Sequence, residues 1–140
     1  MHFMYSFDFQ KRVRYGETDQ MGYLYYGNYA TYYEIGRVEM LRSLGFTYRA
    51  LEEVHKVMMP VVSMQVNYIR PAFYDELLNI RTTLKELPGK YITFHMEIFK
   101  ENGKICNVGR VRLCFVDIET NKTIPTPEVM LEKLRPSFEE

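Results

Sequence analysis

The sequence predicts an α+β domain, an antiparallel five-stranded sheet wrapped around one long central helix. Three observations lead there. Between about Tyr26 and Leu44 the apolar residues recur at helical spacing. After Pro60 they recur at every second position through four successive segments. The connections between those segments are mostly short, which makes neighbouring strands antiparallel. With one more strand at the N-terminus, each strand has one apolar face, and a single long helix is available to cover it.

Each element has its own warrant. Residues 5–15 set Phe7, Phe9, Lys11, Val13 and Tyr15 against Asp8, Gln10, Arg12 and Arg14, a half-exposed strand. A polar loop, 16–25, follows. The helix then carries Tyr29, Tyr33, Gly36, Met40 and Leu44 on one stripe, with Ala30, Arg37 and Leu41 beside it. Its length is roughly 27 Å, and the small Ala30 and Gly36 would let its backbone approach a sheet closely. Gly45 ends it. Residues 47–56 predict a short second helix with Thr47 as N-cap.

The strand segments follow. In 61–70 the apolar set is Val62, Met64, Val66 and Tyr68, and Pro71 suggests an edge position. In 76–86 it is Leu78, Ile80 and Leu84, closed by a turn at 87–90. In 91–100 it is Ile92, Phe94, Met96 and Ile98, and the Asn102-Gly103 pair marks a tight hairpin. In 105–118 it is Val111, Leu113 and Phe115. A short helical pattern with Val129, Leu131 and Leu134 closes the chain. The outer sheet face carries many charges, yet also Tyr91, Phe99 and Cys114, which suits partial cover by another subunit.

Composition bounds the function. The 140 residues are 46% hydrophobic and 26% charged, the range of one ordinary globular domain, expected to span 1–140. Lys+Arg and Asp+Glu balance at 18 each, so no basic field gathers nucleic acid. No run is apolar enough for an integral membrane segment and no signal peptide is visible. Cys106 and Cys114 fall in one strand on the same face, roughly 27 Å apart, too far for a disulfide. Two free thiols point to a cytoplasmic setting. No zinc spacing and no phosphate-binding glycine pattern occur, so neither metal nor cofactor is expected. The unusual feature is aromatic: 12 Tyr and 9 Phe with no Trp, suited to a ligand pocket, an oligomer interface or half-buried strands.

Chemistry concentrates in Tyr15–Arg37, YGETDQMGYLYYGNYATYYEIGR. Asp19 sits in a turn beside Gly22, where a ligand can approach the backbone. It serves either as base or nucleophile, or as a turn-stabilising side chain. Tyr26 and Gly27 stand at the helix start, whose N–H groups can polarise a carbonyl or bind water instead. Glu34, two turns further on, points either into a cleft or to solvent. His2, His55 and His95 are far apart and match no triad spacing. Arg70, Arg110, Arg112, Lys90 and Lys104 offer contacts to a phosphorylated ligand, or are ordinary strand and turn charges.

The string Y-G-E-T-D-Q-M-G-Y-L-Y-Y-G-N-Y, continuing into Y-Y-E-I-G-R, resembles the start of the 4-hydroxybenzoyl-CoA thioesterase family of hot-dog-fold proteins, with its Tol–Pal-associated acyl-CoA thioesterases as the nearest group. The segments Asn67–Ala72 and Leu113–Asp117 extend the resemblance over nearly the whole chain. It implies a hot-dog fold and an acyl-CoA thioesterase acting on a fatty or aromatic acyl-CoA. It places Asp19 at the catalytic aspartate and the Tyr26 N–H at the oxyanion donor, where many members of that group carry His. Glu34 falls where another branch places its carboxylate, and is kept as a supporting group. Gly22, Gly27 and Tyr29 are substrate-binding candidates. The resemblance implies a homodimer or homotetramer with sites at subunit interfaces, and the 61–70 strand is the candidate joining edge. The alternatives are an acyl-carrier-protein thioesterase, a non-catalytic acyl-thioester binder, or a dehydratase, the last lacking a His at the loop–helix junction.

Overall fold

The computed structural model describes residues 3–139. The chain runs β1 (Tyr5–Arg12), α1 (Tyr29–Ser43), α2 (Tyr48–Glu53), β2 (Val57–Met58), β3 (Val61–Tyr68), β4 (Leu77–Leu84), β5 (Tyr91–Phe99), β6 (Ile105–Asp117), β7 (Lys122–Ile124) and α3 (Glu128–Leu134). Short 3-10 turns lie at Tyr15–Glu17, Tyr26–Asn28 and Arg135–Ser137.

The five long strands form the predicted sheet. β1 pairs with β4, β4 with β5, β5 with β6, and β6 with β3, all antiparallel. The short β2 and β7, which periodicity does not reveal, pair with the far end of β6. Two residues in a strand are too few to show alternation.

Alternation delivers the core. Ile92, Phe94, Met96 and Ile98 of β5 are all buried, as are Leu78, Ile80 and Leu84 of β4. Each contributes about 1.5–3 kcal/mol by leaving water. Thr82, on the same β4 face, is buried too, and its hydroxyl has no hydrogen-bond partner among the described residues.

α1 lies across this face, burying Tyr29, Tyr32, Tyr33, Gly36, Arg37, Met40 and Leu41. Gly36 is a point of close approach. A Cβ there would stand 2.6 Å from Thr82 Oγ1 and 2.8 Å from Ile80 Cγ2. Ala30 plays no such part, because it faces solvent. Gly45 ends the helix in the left-handed region at φ +91, and the Thr47 hydroxyl caps α2 by accepting from Ala50 N–H.

The two cysteines do not share a face as strict alternation predicts. The β5–β6 register shifts between Ile98 and Phe99, so the bulged β6 buries Cys106 and Asn107 in succession. Cys106 packs against Tyr29 of α1, and burial pushes its thiol up to about 11. Cys114 lies beyond the bulge and is half-buried; both are free thiols.

β3 stands at the sheet edge, paired with β6 alone. Val61, Val62, Met64 and Tyr68 are all exposed, with Val62 at 51% and Tyr68 at 55%. No helix among the described residues is long and apolar enough to cross a membrane.

Candidate active site

The turn that carries Asp19 is built by Asp19 itself. Its Oδ1 accepts from Met21 N–H at 2.9 Å and from Tyr23 N–H at 3.1 Å. Its main chain closes the loop: Asp19 N–H donates to Tyr23 O at 2.8 Å and its carbonyl accepts from Gly22 N–H at 2.9 Å. Gly22 turns at φ +83, a conformation other residues adopt only with strain. The turn-stabilising role read for Asp19 therefore takes one oxygen of its carboxylate. Oδ1 holds the turn, and Oδ2 has no protein donor among the described residues.

The loop is pinned to the connection between β3 and β4. Leu24 N–H donates to Ala72 O at 2.7 Å, Tyr23 bridges to Phe73, and their rings meet edge to face at 5.6 Å. The chain then enters the Tyr26–Asn28 turn, which leads into α1. At this start the Tyr26 and Gly27 N–H groups have no carbonyl behind them on the helix. Asn28 secures the turn by donating from Nδ2 to Glu17 O at 2.8 Å.

Asp19, Tyr26 and Tyr29 line one cleft of about 260 Å³, together with Met21, Tyr23, Leu24 and the Tyr68–Pro71 segment. Tyr68 forms its aromatic wall. Its ring stands edge-on to Tyr29 at 5.4 Å and to Tyr26 at 6.2 Å. Tyr29 is almost fully buried, and that burial holds its hydroxyl protonated well above the usual tyrosine range. Arg70 reaches the rim with its Nη1 donating to Ile105 O.

The other candidates stand apart. Gly22 and Gly27 shape the backbone without lining the cleft, and a Cβ at Gly27 would strike the Tyr25 ring at 2.6 Å. Glu34 is exposed and lines a separate hollow with Phe9, Thr31, Ile35, Val38 and Glu39. Within one chain it is not brought to Asp19. Arg110 and Arg112 lie on the outer sheet face, where Arg112 covers the Tyr91 ring at 5.3 Å. His95 is also on that face, and burial together with Lys85 and Arg110 lowers its imidazole below the usual value. Among the described residues no cluster of His, Cys, Asp and Glu could hold a metal ion.

Sequence reasoning overlooked Tyr68 as a cleft wall and Glu17 as a support. Spacing gives no sign that the segment after β3 folds against the 19–24 loop. Glu17 had a signal in hindsight, a carboxylate with basic Lys11 and Arg14 close before it.

This arrangement is a hot-dog sheet and helix with an acidic turn at the helix start, and the chain belongs to the thioesterase-like superfamily, whose sequence profile matches residues 13–134. Among its relatives is the acyl-CoA thioesterase YbgC of Haemophilus influenzae, 30% identical over 88% of this chain and 90% of that protein. The acyl-CoA thioester hydrolase YbgC of Escherichia coli is 34% identical over 76% of this chain and 78% of its own length. Of the solved structures, a DHNA-CoA thioesterase from Staphylococcus aureus superposes with a TM-score of 0.84 at 29% identity, covering 95% of this chain and 88% of its own. A 4-hydroxybenzoyl-CoA thioesterase bound to its substrate shares the fold at a TM-score of 0.83 and 20% identity, with 92% and 98% covered.

Proposed function

We propose that this protein is an acyl-CoA thioesterase in which Asp19 and the Tyr26 N–H form the reaction centre. The observation that carries the assignment is the cleft shared by Asp19 and Tyr26. Hydrolysis needs a base or nucleophile on one side of a carbonyl and a hydrogen-bond donor for the oxyanion that forms. A thiolate leaves readily, so no strong general acid is required. Either the free carboxylate oxygen of Asp19 attacks the thioester carbon, or it takes a proton from a water that attacks. The C–S bond then breaks, the CoA thiolate departs and is protonated, and the free acid is released. In the first route an acyl–Asp19 anhydride forms and water cleaves it. The tyrosine-lined cleft suits a fatty or aromatic acyl group.

The free edge of β3 supports a homodimer, or a homotetramer built from it. An eight-residue strand with one unpaired side and exposed Val62 and Met64 is a template for pairing. The same strand leads into Tyr68–Pro71, so the partner would lie against the cleft. The two unbridged cysteines and an acyl-CoA substrate fit a cytoplasmic location.

Asp19→Asn is the decisive variant. Turnover of a good acyl-CoA, followed by thiol release across an aliphatic and aromatic panel, should fall by about 10²-fold or more with fold intact. Wild-type turnover in that variant would remove Asp19 from the reaction. A wild-type protein that binds acyl-CoA but hydrolyses none of the panel would favour a binding domain, and activity only on acyl-carrier-protein thioesters would reassign the carrier.

A further inference from the structure

We infer that Glu17 is a positioning residue of this site, tying the turn that leads to Asp19 to the turn that presents the Tyr26 N–H. The inference rests on the Asp19–Tyr26 assignment above. Glu17 lies two positions before Asp19, in the 3-10 turn that ends β1, and it does not line the cleft.

Its side chain is bound by three donors at once, one from β1, one from the start of its own turn and one from α1. The oxygen Oε1 accepts from Lys11 Nζ of β1 at 2.9 Å, from the Arg14 N–H at 2.8 Å and from the Tyr32 hydroxyl of α1 at 2.8 Å. Lys11 also stands over the Tyr32 ring at 4.9 Å. Tyr32 is fully buried and the Lys11 and Glu17 side chains are 13% and 22% exposed, so this ion pair is partly sheltered from solvent.

Its main chain works in the other direction. The Glu17 carbonyl accepts from Tyr25 N–H at 2.9 Å and from Asn28 Nδ2 at 2.8 Å. Tyr25 and Asn28 flank the Tyr26 and Gly27 N–H groups. One residue thus fixes the turn that leads to Asp19 and the turn that presents the oxyanion donor. A carbonyl carbon must fit between a carboxylate and an N–H to within fractions of an ångström, and displacement of about 1 Å costs on the order of 10²-fold in rate. A support acting this way affects the transition state more than substrate binding, so its loss should appear in kcat rather than KM.

Glu17→Gln keeps the shape of the side chain and removes its charge. The expected result has two parts. kcat falls by about 10–100-fold with KM within about twofold. Hydrogen exchange at the Tyr25 amide, bonded to the Glu17 carbonyl, loses about tenfold or more of its protection while the Phe94 and Met96 amides keep theirs. Glu128→Gln, which breaks a surface pair with Arg135 far from the cleft in sequence, should change neither. Unchanged kcat and Tyr25 protection in Glu17→Gln would overturn the inference. So would a fall in rate that merely follows the fraction of folded protein. If Glu17→Gln does not fold, Tyr32→Phe removes one donor only; it should lower kcat at constant KM, and unchanged kcat would count against Glu17. A wild-type protein inactive on every acyl thioester would sink the proposed function alone, since the exchange comparison still decides the role of Glu17.

Discussion

Asp19 gives one oxygen to its own turn, and that turn sets where the other oxygen points. The turn depends on reach: a side chain one methylene longer would not hold the Met21 and Tyr23 N–H groups in the same geometry. Glu17 has a different signature, in its acidity. Burial opposes its ionisation, but the Lys11 ammonium, the Arg14 N–H and the Tyr32 hydroxyl outweigh this and hold the carboxyl below the 4.5 usual for glutamate. The folded state therefore binds fewer protons than the unfolded chain near that pH. The stabilisation is complete above the ordinary glutamate value and is lost as pH falls through the depressed one. Thermal unfolding followed by circular dichroism from about pH 6 to about pH 3 should show wild type losing more stability than Glu17→Gln. Parallel curves would mean that the ion pair is energetically idle. Asp8, held low by its hydrogen bonds to Arg81, adds a similar acid loss to both proteins.

At the scale of elements, the seat of α1 on the sheet decides the fold. Gly36 places the helix backbone directly on Thr82, Ile80 and Met96, so Gly36→Ala inserts a methyl where three side chains already stand. We expect a loss of about 1–3 kcal/mol in denaturant unfolding. Thr82→Ala in the same chain should recover part of it, because the nearest obstacle is the Thr82 hydroxyl at 2.6 Å. Strict additivity of the two changes would show that the helix sits elsewhere.

For the whole molecule, sequence patterns revealed the architecture because each long strand and the helix repeat their own period over many residues. Phe94 between Thr93 and His95, or Tyr33 four positions after Tyr29, is legible by spacing alone. The site was half legible. Asp19 and Tyr26 lie on one continuous stretch and could be read together, with the family pattern selecting them. Tyr68 could not, because it meets Tyr29 only after β3 has paired with β6. Glu34 could not be placed from spacing: its position on the helix gave no sign of which side faced the cleft, and within one chain it lines a separate hollow. Cys106 failed for a local reason, a bulge that shifts the phase of a strand by one.

The bare edge of β3 has a consequence for how the enzyme behaves on dilution. Tyr68 ends a strand that has a partner on one side only, and Ile69, Arg70 and Pro71 follow directly from it. If a second copy supplies the other side, the cleft is rigid only while the pair holds. Specific activity should then fall as enzyme is diluted through the dissociation range and recover on concentration, measured against dimer fraction by sedimentation. Activity per chain that stays constant while the dimer dissociates would make the isolated chain a complete enzyme, and the free edge an ornament of the sheet rather than part of its chemistry.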